Sequence, residues 1–229
     1  MVETEHEQIH MPLIGEDAPS FEAVTTQGTI NFPDDYKGKW IILFSHPADF
    51  TPVCTTEFIT FASMQEEFSK MNTELIGLSI DSIFSHIAWL KRIEEKIEYK
   101  GMKNVEIKFP VIADLKMEVA KKYGMVQRKA STIHAVRAAF VIDPESKIRA
   151  MLYYPIPNGR NIQEIKRLIS AMQKSEAENV STPANWQPGD DVIVPPPRSM
   201  EGVKERFQEA ENGMYCLDWF MCLKKEGKK

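Results

Sequence analysis

The clearest feature of the hydrophobic pattern is the unbroken apolar run Trp40-Ile41-Ile42-Leu43-Phe44. A run without polar alternation predicts a strand buried on both faces, in the middle of a sheet covered by helices. Shorter runs predict strands at residues 21–25, 29–32, 74–79, 138–142 and 148–154, with Asp143-Pro144 closing the fourth of these. Between them the spacing turns helical. Phe58, Phe61, Ala62, Gln65 and Phe68 predict one amphipathic helix over 54–70, and Ile83, Ile87, Leu90, Ile93 and Ile97 form one stripe of a helix over 83–97. Helices are also expected over 115–123, stopped by Gly124, and over 161–172. Strands alternating with helices predict an α/β fold, with strand order left open.

Near Ser175 the pattern changes. Residues 175–188 are polar and include Pro183 and Pro188, and Pro195-Pro196-Pro197 is a stiff segment suited to neither a helix nor a central strand. A short helix is expected over 200–210. The reading is a domain of residues 1–174 followed by an extension, 175–229. At about 55 residues the extension is too small for a robust core of its own, so it is expected to lie on the main domain or on a second subunit.

Composition narrows the function classes. With 43% hydrophobic and 27% charged residues the chain has ordinary globular composition, and nothing in a net charge of -5 suggests an electrostatic grip on nucleic acid or an anionic membrane. No apolar run approaches the roughly 20 residues of a membrane span. The start, MVETEHEQIH, is acidic and unlike a signal peptide, so a cytoplasmic location is expected. Three cysteines, Cys54, Cys216 and Cys222, are too few for a disulfide framework. The six-residue step from Cys216 to Cys222, with no paired His after it, argues against zinc. Buried, inert thiols are the plain alternative for all three.

The setting of Cys54 argues for more. It follows the buried strand and falls at the start of the first long helix, with Pro52 suited to the first turn. There, unpaired backbone N–H groups and the positive end of the helix dipole favour a thiolate, the nucleophilic form of cysteine. Pro47-x-x-x-Thr51-x-x-Cys54, inside HPADFTPVCTTE, resembles the active-site signature of the peroxiredoxins. The resemblance continues through Arg137 in VRAAFVID and Gly159-Arg160-Asn161, and covers essentially the whole chain. Trp186-x-Pro188-Gly189 and Val194-Pro195-Pro196 are similar to the long-tailed, one-Cys subgroup.

The resemblance implies a thioredoxin-like fold, with a central mixed sheet flanked by helices and a C-terminal extension involved in dimerisation. It implies that Cys54 is the peroxidatic cysteine, oxidised to a sulfenic acid. Thr51 would hydrogen-bond the thiolate and the peroxide. Arg137 would hold the thiolate and stabilise the leaving oxygen, and Pro47 would shield the site. Glu57 would orient arginine, Arg160 would be the second arginine, and His46 would contact the oxidised sulfur. Each residue type also has a plainer use: Thr51 as an N-cap, Glu57 as a first-turn acid, Arg137 as a solvated strand-edge charge and His46 as a structural histidine.

Tyr215-Cys216-Leu217-Asp218-Trp219-Phe220-Met221-Cys222 departs from the one-Cys pattern. It is similar to archaeal-type members, in which the distal cysteine resolves the peroxidatic cysteine of a partner subunit. By resemblance Cys222 is the resolving cysteine and Cys216 an auxiliary thiol able to pair with it; alternatively both anchor the aromatic patch. The implied function is reduction of hydrogen peroxide and organic hydroperoxides to water and alcohols, in antioxidant defence and redox homeostasis. It would need no metal or other cofactor and would draw electrons from a thioredoxin-like or other dithiol reductant. Strand 148–154, with Met151, Tyr153 and Tyr154, suits a sheet edge; the family pairs such edges into dimers, and dimers into decamer rings. A redox sensor or holdase is the competing class. A hydrolase is disfavoured because no G-x-S-x-G occurs, and a C-x-x-C oxidoreductase is excluded because no such pair exists.

Overall fold

The computed structural model describes residues 11–127, 129–131, 133–209 and 214–226. The acidic start, 1–10, and Ala210, the expected end of the last helix, lie outside the described residues. The chain forms two compact units, residues 1–162 and 163–229.

The first unit contains seven strands: β1 (Phe21–Thr25), β2 (Gly28–Phe32), β3 (Trp40–Ser45), β4 (Thr73–Ser79), β5 (Val111–Ala113), β6 (Arg137–Ile142) and β7 (Ile148–Tyr154). Its helices are α1 (Pro52–Ser63), α2 (Gln65–Lys70), α3 (Ile83–Lys96) and α4 (Glu118–Lys122). The strands form one mixed sheet in the order β2-β1-β5-β4-β3-β6-β7. β3, β4 and β5 run parallel, and β6 and β7 continue the sheet antiparallel, with Leu43 opposite Phe140.

All six residues of β3 are buried, because the two faces of the strand enter different apolar layers. Ile41 and Leu43 join a cluster with Ile76, Tyr123 and Phe140. Phe44, on the opposite face, stacks on Phe61 at 4.3 Å and meets Phe58 at 5.5 Å. Each of these buried aromatics contributes on the order of 1.5–3 kcal/mol. The layer that holds α1 against β3 thereby fixes where the first turn of α1 sits.

Several elements differ from the sequence expectation for local reasons. The helix expected over 54–70 begins at Pro52 and breaks at Met64, whose amide is shared between the carbonyls of Thr60 and Phe61. This tightened turn keeps Met64 buried at 4% exposure. The buried stripe of α3 is His86, Trp89 and Ile93, while Ile87 is exposed. Polar partners turn the helix this way: Asp49 holds His86, and the Trp89 indole donates to Thr55 Oγ1 at 3.2 Å. α4 is shorter than expected because the Asp114 carboxylate accepts the amides of Glu118, Val119 and Ala120 and so sets its start. β5 has only three residues, and was not foreseen.

The second unit holds α5 (Ile162–Glu178), β8 (Val192–Val194), α6 (Met200–Glu209), β9 (Met214–Asp218) and β10 (Met221–Lys224). α5 runs past residue 174 and ends where Asn179 takes a left-handed backbone, φ 51°. The polar stretch after Ser175 therefore begins inside a helix. The three strands pair in the order β8-β10-β9, beside a small cluster of Ala171, Val180, Trp186 and Val192. None of these strands was expected. No described helix is long and apolar enough to cross a membrane.

Candidate active site

Cys54 is the third residue of α1, after Thr51 at the N-cap and Pro52 at the first helical position. Its amide is one of those at the helix start that have no carbonyl a turn earlier. The side chain is fully buried. The charge above the sulfur comes from β6: Arg137 Nη1 lies 3.2 Å from Cys54 Sγ and 2.8 Å from Glu57 Oε2, and Arg137 Nε donates to Ile156 O at 2.8 Å. Glu57 stands one turn beyond Cys54 on α1. It also takes three hydrogen bonds from Arg160, from the amide and Nε to Oε1 at 2.8 and 2.9 Å and from Nη2 to Oε2 at 2.8 Å. Arg160 Nη1 donates to Ala138 O at 2.7 Å.

Glu57, Arg137 and Arg160 are at most 7% exposed. Burial alone would raise the Glu57 carboxyl, but the Arg160 guanidinium, its hydrogen bonds and Arg137 outweigh it and hold the group below its ordinary value. An ionised Glu57 between two guanidiniums leaves one positive charge over. A thiolate at Cys54 balances it, in a buried place where an uncompensated charge is costly. The arrangement can thus hold a sulfur nucleophile and, beside it, N–H donors for charge that develops on an oxygen.

Two predicted contacts differ. Thr51 Oγ1 donates to Ala48 O at 2.8 Å. A hydroxyl has one proton to give, so here it is not directed at the sulfur, and it makes no capping bond either. His46 is neither on the sulfur nor fully satisfied. Its Nε2 faces Asp49 Oδ1 at 2.9 Å, while Nδ1 is, among the described residues, the buried side-chain nitrogen or oxygen with no partner. An unpaired buried acceptor costs about 1–3 kcal/mol. Pro47 is buried in the loop between β3 and α1.

Sequence reasoning missed Asp49, Asp81 and His86, which brace this loop. Asp49 Oδ2 faces His86 Nδ1 at 2.8 Å, and the Asp49 amide donates to Asp81 Oδ2 at 3.0 Å. His46, Asp49 and His86 bring ligand-type atoms within 4.8 Å of one another, but each Asp49 oxygen already takes an imidazole N–H, so hydrogen bonds account for the cluster. A usable signal existed: an Asp and a His lying in otherwise apolar surroundings, HPADF and IFSHIAWL.

The AhpC/TSA family profile matches residues 14–151 of the chain, and that of the C-terminal domain of 1-Cys peroxiredoxin matches 171–210. The chain is 79% identical over 219 residues to a peroxiredoxin of Methanosarcina mazei, covering 96% of this chain and 100% of that one. The chain belongs to the peroxiredoxin family. Membership makes it a peroxidase, an oxidoreductase. A peroxiredoxin of Aquifex aeolicus is 53% identical, over 96% of this chain and 99% of that one. Among solved structures, a yeast mitochondrial 1-Cys peroxiredoxin superposes with a TM-score of 0.81 at 42% identity, over 94% of this chain and 100% of that one. A mutant of peroxiredoxin 6 from Arenicola marina gives 0.80 at 33% identity, over 95% and 99%. These matches establish the thioredoxin-like fold with its central mixed sheet.

In the tail of this peroxiredoxin, Cys216 and Cys222 face each other across the β9–β10 hairpin and are joined by a disulfide. Cys222 is buried at 1% exposure and Cys216 is half-buried. Tyr215, Trp219 and Phe220 are exposed.

Proposed function

We propose that this peroxiredoxin reduces hydrogen peroxide and organic hydroperoxides through Cys54. The observation that carries the reading is the Arg137 guanidinium at 3.2 Å from the sulfur, inside a buried cluster with one positive charge to spare. The thiolate attacks the distal peroxide oxygen. The O–O bond breaks, the distal oxygen stays on the sulfur with its hydrogen as a sulfenic acid, and the other oxygen takes up the proton that the thiol had released and leaves as water or alcohol. Arg137 stabilises the leaving oxygen. Thr51 swings its hydroxyl from Ala48 O to the bound peroxide, Pro47 keeps bulk water out, and Glu57 with Arg160 holds Arg137 in place. His46 accepts the sulfenic hydroxyl through Nδ1. An apolar groove of about 360 Å³ beside Thr51, lined by Phe50, Trp89, Ile93 and Tyr99, suits the carbon chain of an organic hydroperoxide.

The second step uses the tail. Once a dithiol has reduced the Cys216–Cys222 disulfide, the Cys222 thiol of a partner subunit attacks the Cys54 sulfur, forming a disulfide and releasing water, with Cys216 as the auxiliary thiol. Because Cys54 has no exposed surface, the start of α1 unwinds for this step. A thioredoxin-like or other dithiol then reduces the disulfide; the yeast relative is described as resolved through glutathione and thioredoxin systems. In this reading residues 1–174 are the peroxidase domain and 175–229 serve dimerisation, β7 pairs edge to edge with its copy, dimers close into a decamer ring, and the enzyme works in the cytoplasm as an antioxidant. Steady-state peroxide consumption with a dithiol donor tests it. Turnover lost in Cys54→Ser supports the enzyme, whereas a single stoichiometric oxidation with every donor makes the protein a sensor.

A further inference from the structure

The side chains of His46, Asp49 and His86 are at most 1% exposed. Asp49 Oδ1 meets His46 Nε2, Asp49 Oδ2 meets His86 Nδ1, and His86 Nε2 lies 3.1 Å from Ile112 O. Burial alone would raise the Asp49 carboxyl, but the hydrogen bonds from both imidazoles outweigh it and hold the group well below the usual carboxylate range. A carboxylate and a carbonyl only accept hydrogen bonds. Both nitrogens of His86 face atoms that only accept. His46 Nε2 carries a proton, while burial, opposed only in part by Asp49, lowers the affinity of the ring for a second one. The remaining lone pair, at Nδ1, has no partner among the described residues.

The position of this ring links it to the cysteine. It packs edge-on to Phe58, 4.7 Å away and one helical turn beyond Cys54, and lies 5.1 Å from Trp89, whose indole is bonded to Thr55. Asp49 is itself fixed, since its amide and the Ser79 hydroxyl share Asp81 Oδ2.

We propose that Asp49 and His86 are positioning residues that lock His46 as the Nε2–H tautomer, keeping the Nδ1 lone pair free to accept the hydroxyl of the Cys54 sulfenic acid. The use of that lone pair rests on the role proposed for His46 above; the lock itself rests on the hydrogen bonds. Asp49→Asn separates charge from tautomer. Its amide can give oxygen to His46 Nε2–H and N–H to His86 Nδ1, so the tautomer survives while the carboxylate charge goes. Asp49→Leu removes the acceptor and lets the His46 proton distribute over both nitrogens.

Imidazole nitrogen NMR of the reduced full-length protein reads the tautomers, and chemical trapping reads the sulfenic acid lifetime. Expected is a single Nε2–H form of His46 in the wild type. Asp49→Asn keeps the His46 form and the lifetime. Asp49→Leu gives mixed tautomers and a lifetime about fivefold shorter, the effect of one hydrogen bond, as does His46→Phe. A wild-type proton on His46 Nδ1 overturns the proposal, and that spectrum needs no variant to fold. Mixed tautomers in Asp49→Leu with an unchanged lifetime, while His46→Phe shortens it, overturn the lock alone. An unchanged lifetime in His46→Phe overturns the role of His46, and with it the use proposed for the lock.

Discussion

Arg137 shares one nitrogen, Nη1, between Cys54 and Glu57 while its Nε holds Ile156 O. Only a rigid fork meets three such acceptors at once. Arg137→Lys keeps a charge but loses the fork, and the reaction with peroxide is expected to slow by about 10²–10³, the usual cost of a misplaced donor at a developing oxyanion. Stopped-flow consumption of the reduced enzyme measures this, and a rate within a few-fold of wild type would remove Arg137 from the chemistry. Glu57→Gln leaves two buried guanidiniums with the Cys54 thiolate as their one counter-charge, so a loss of about 3–5 kcal/mol is expected in urea denaturation at neutral pH. The pH dependence follows from the sign of the shift. The folded Glu57 lies below its ordinary value, so its contribution is complete above about 4.3 and is lost as pH falls through the lowered folded value. Glu57→Gln is expected to show a flatter acid limb than wild type, and an unchanged limb would contradict the assignment.

Among the elements, α4 shows how one side chain sets a boundary. Asp114 accepts the amides of Glu118 and Val119 at 2.9 and 3.3 Å and that of Ala120 at 2.7 Å. Asp114→Ala is expected to cost about 1–2 kcal/mol, read as a fall in Tm of about 2–4 °C per kcal/mol for a chain this size; no shift would mean the caps are replaced by water. Elements with a strong local pattern were legible in the sequence: β3 through its apolar run, and β1 and β7 at their full bounds. The Pro-x-x-x-Thr-x-x-Cys loop and Arg137 were legible through their resemblance to a known signature. What was not legible depended on distant partners. His86 turns α3 only because Asp49 waits for it, β5 is a strand only because β4 and β1 flank it, and the strands of the tail are short, with prolines and polar residues between them. Thr51 shows the limit of resemblance, since the motif fixes its position and not where its hydroxyl points.

At the level of the whole molecule the proposed cycle divides its two steps between the two units, with Cys54 in the first and Cys216 and Cys222 in the second. Equimolar peroxide added to dithiol-reduced protein is expected to give a covalent dimer on non-reducing gels in wild type and Cys216→Ser, and none in Cys222→Ser. A dimer that survives Cys222→Ser contradicts the proposed order of exchange. The central claim concerns the step before it, the transfer of the peroxide oxygen to a thiolate that the arginine cluster holds. The most direct measurement is mass spectrometry of a Cys216→Ser, Cys222→Ser protein treated with one equivalent of hydrogen peroxide and a sulfenic acid trap. A single adduct at Cys54, formed as fast as peroxide disappears, is the predicted result. Peroxide consumed at the wild-type rate with no adduct at Cys54, or with the adduct elsewhere, would contradict the account.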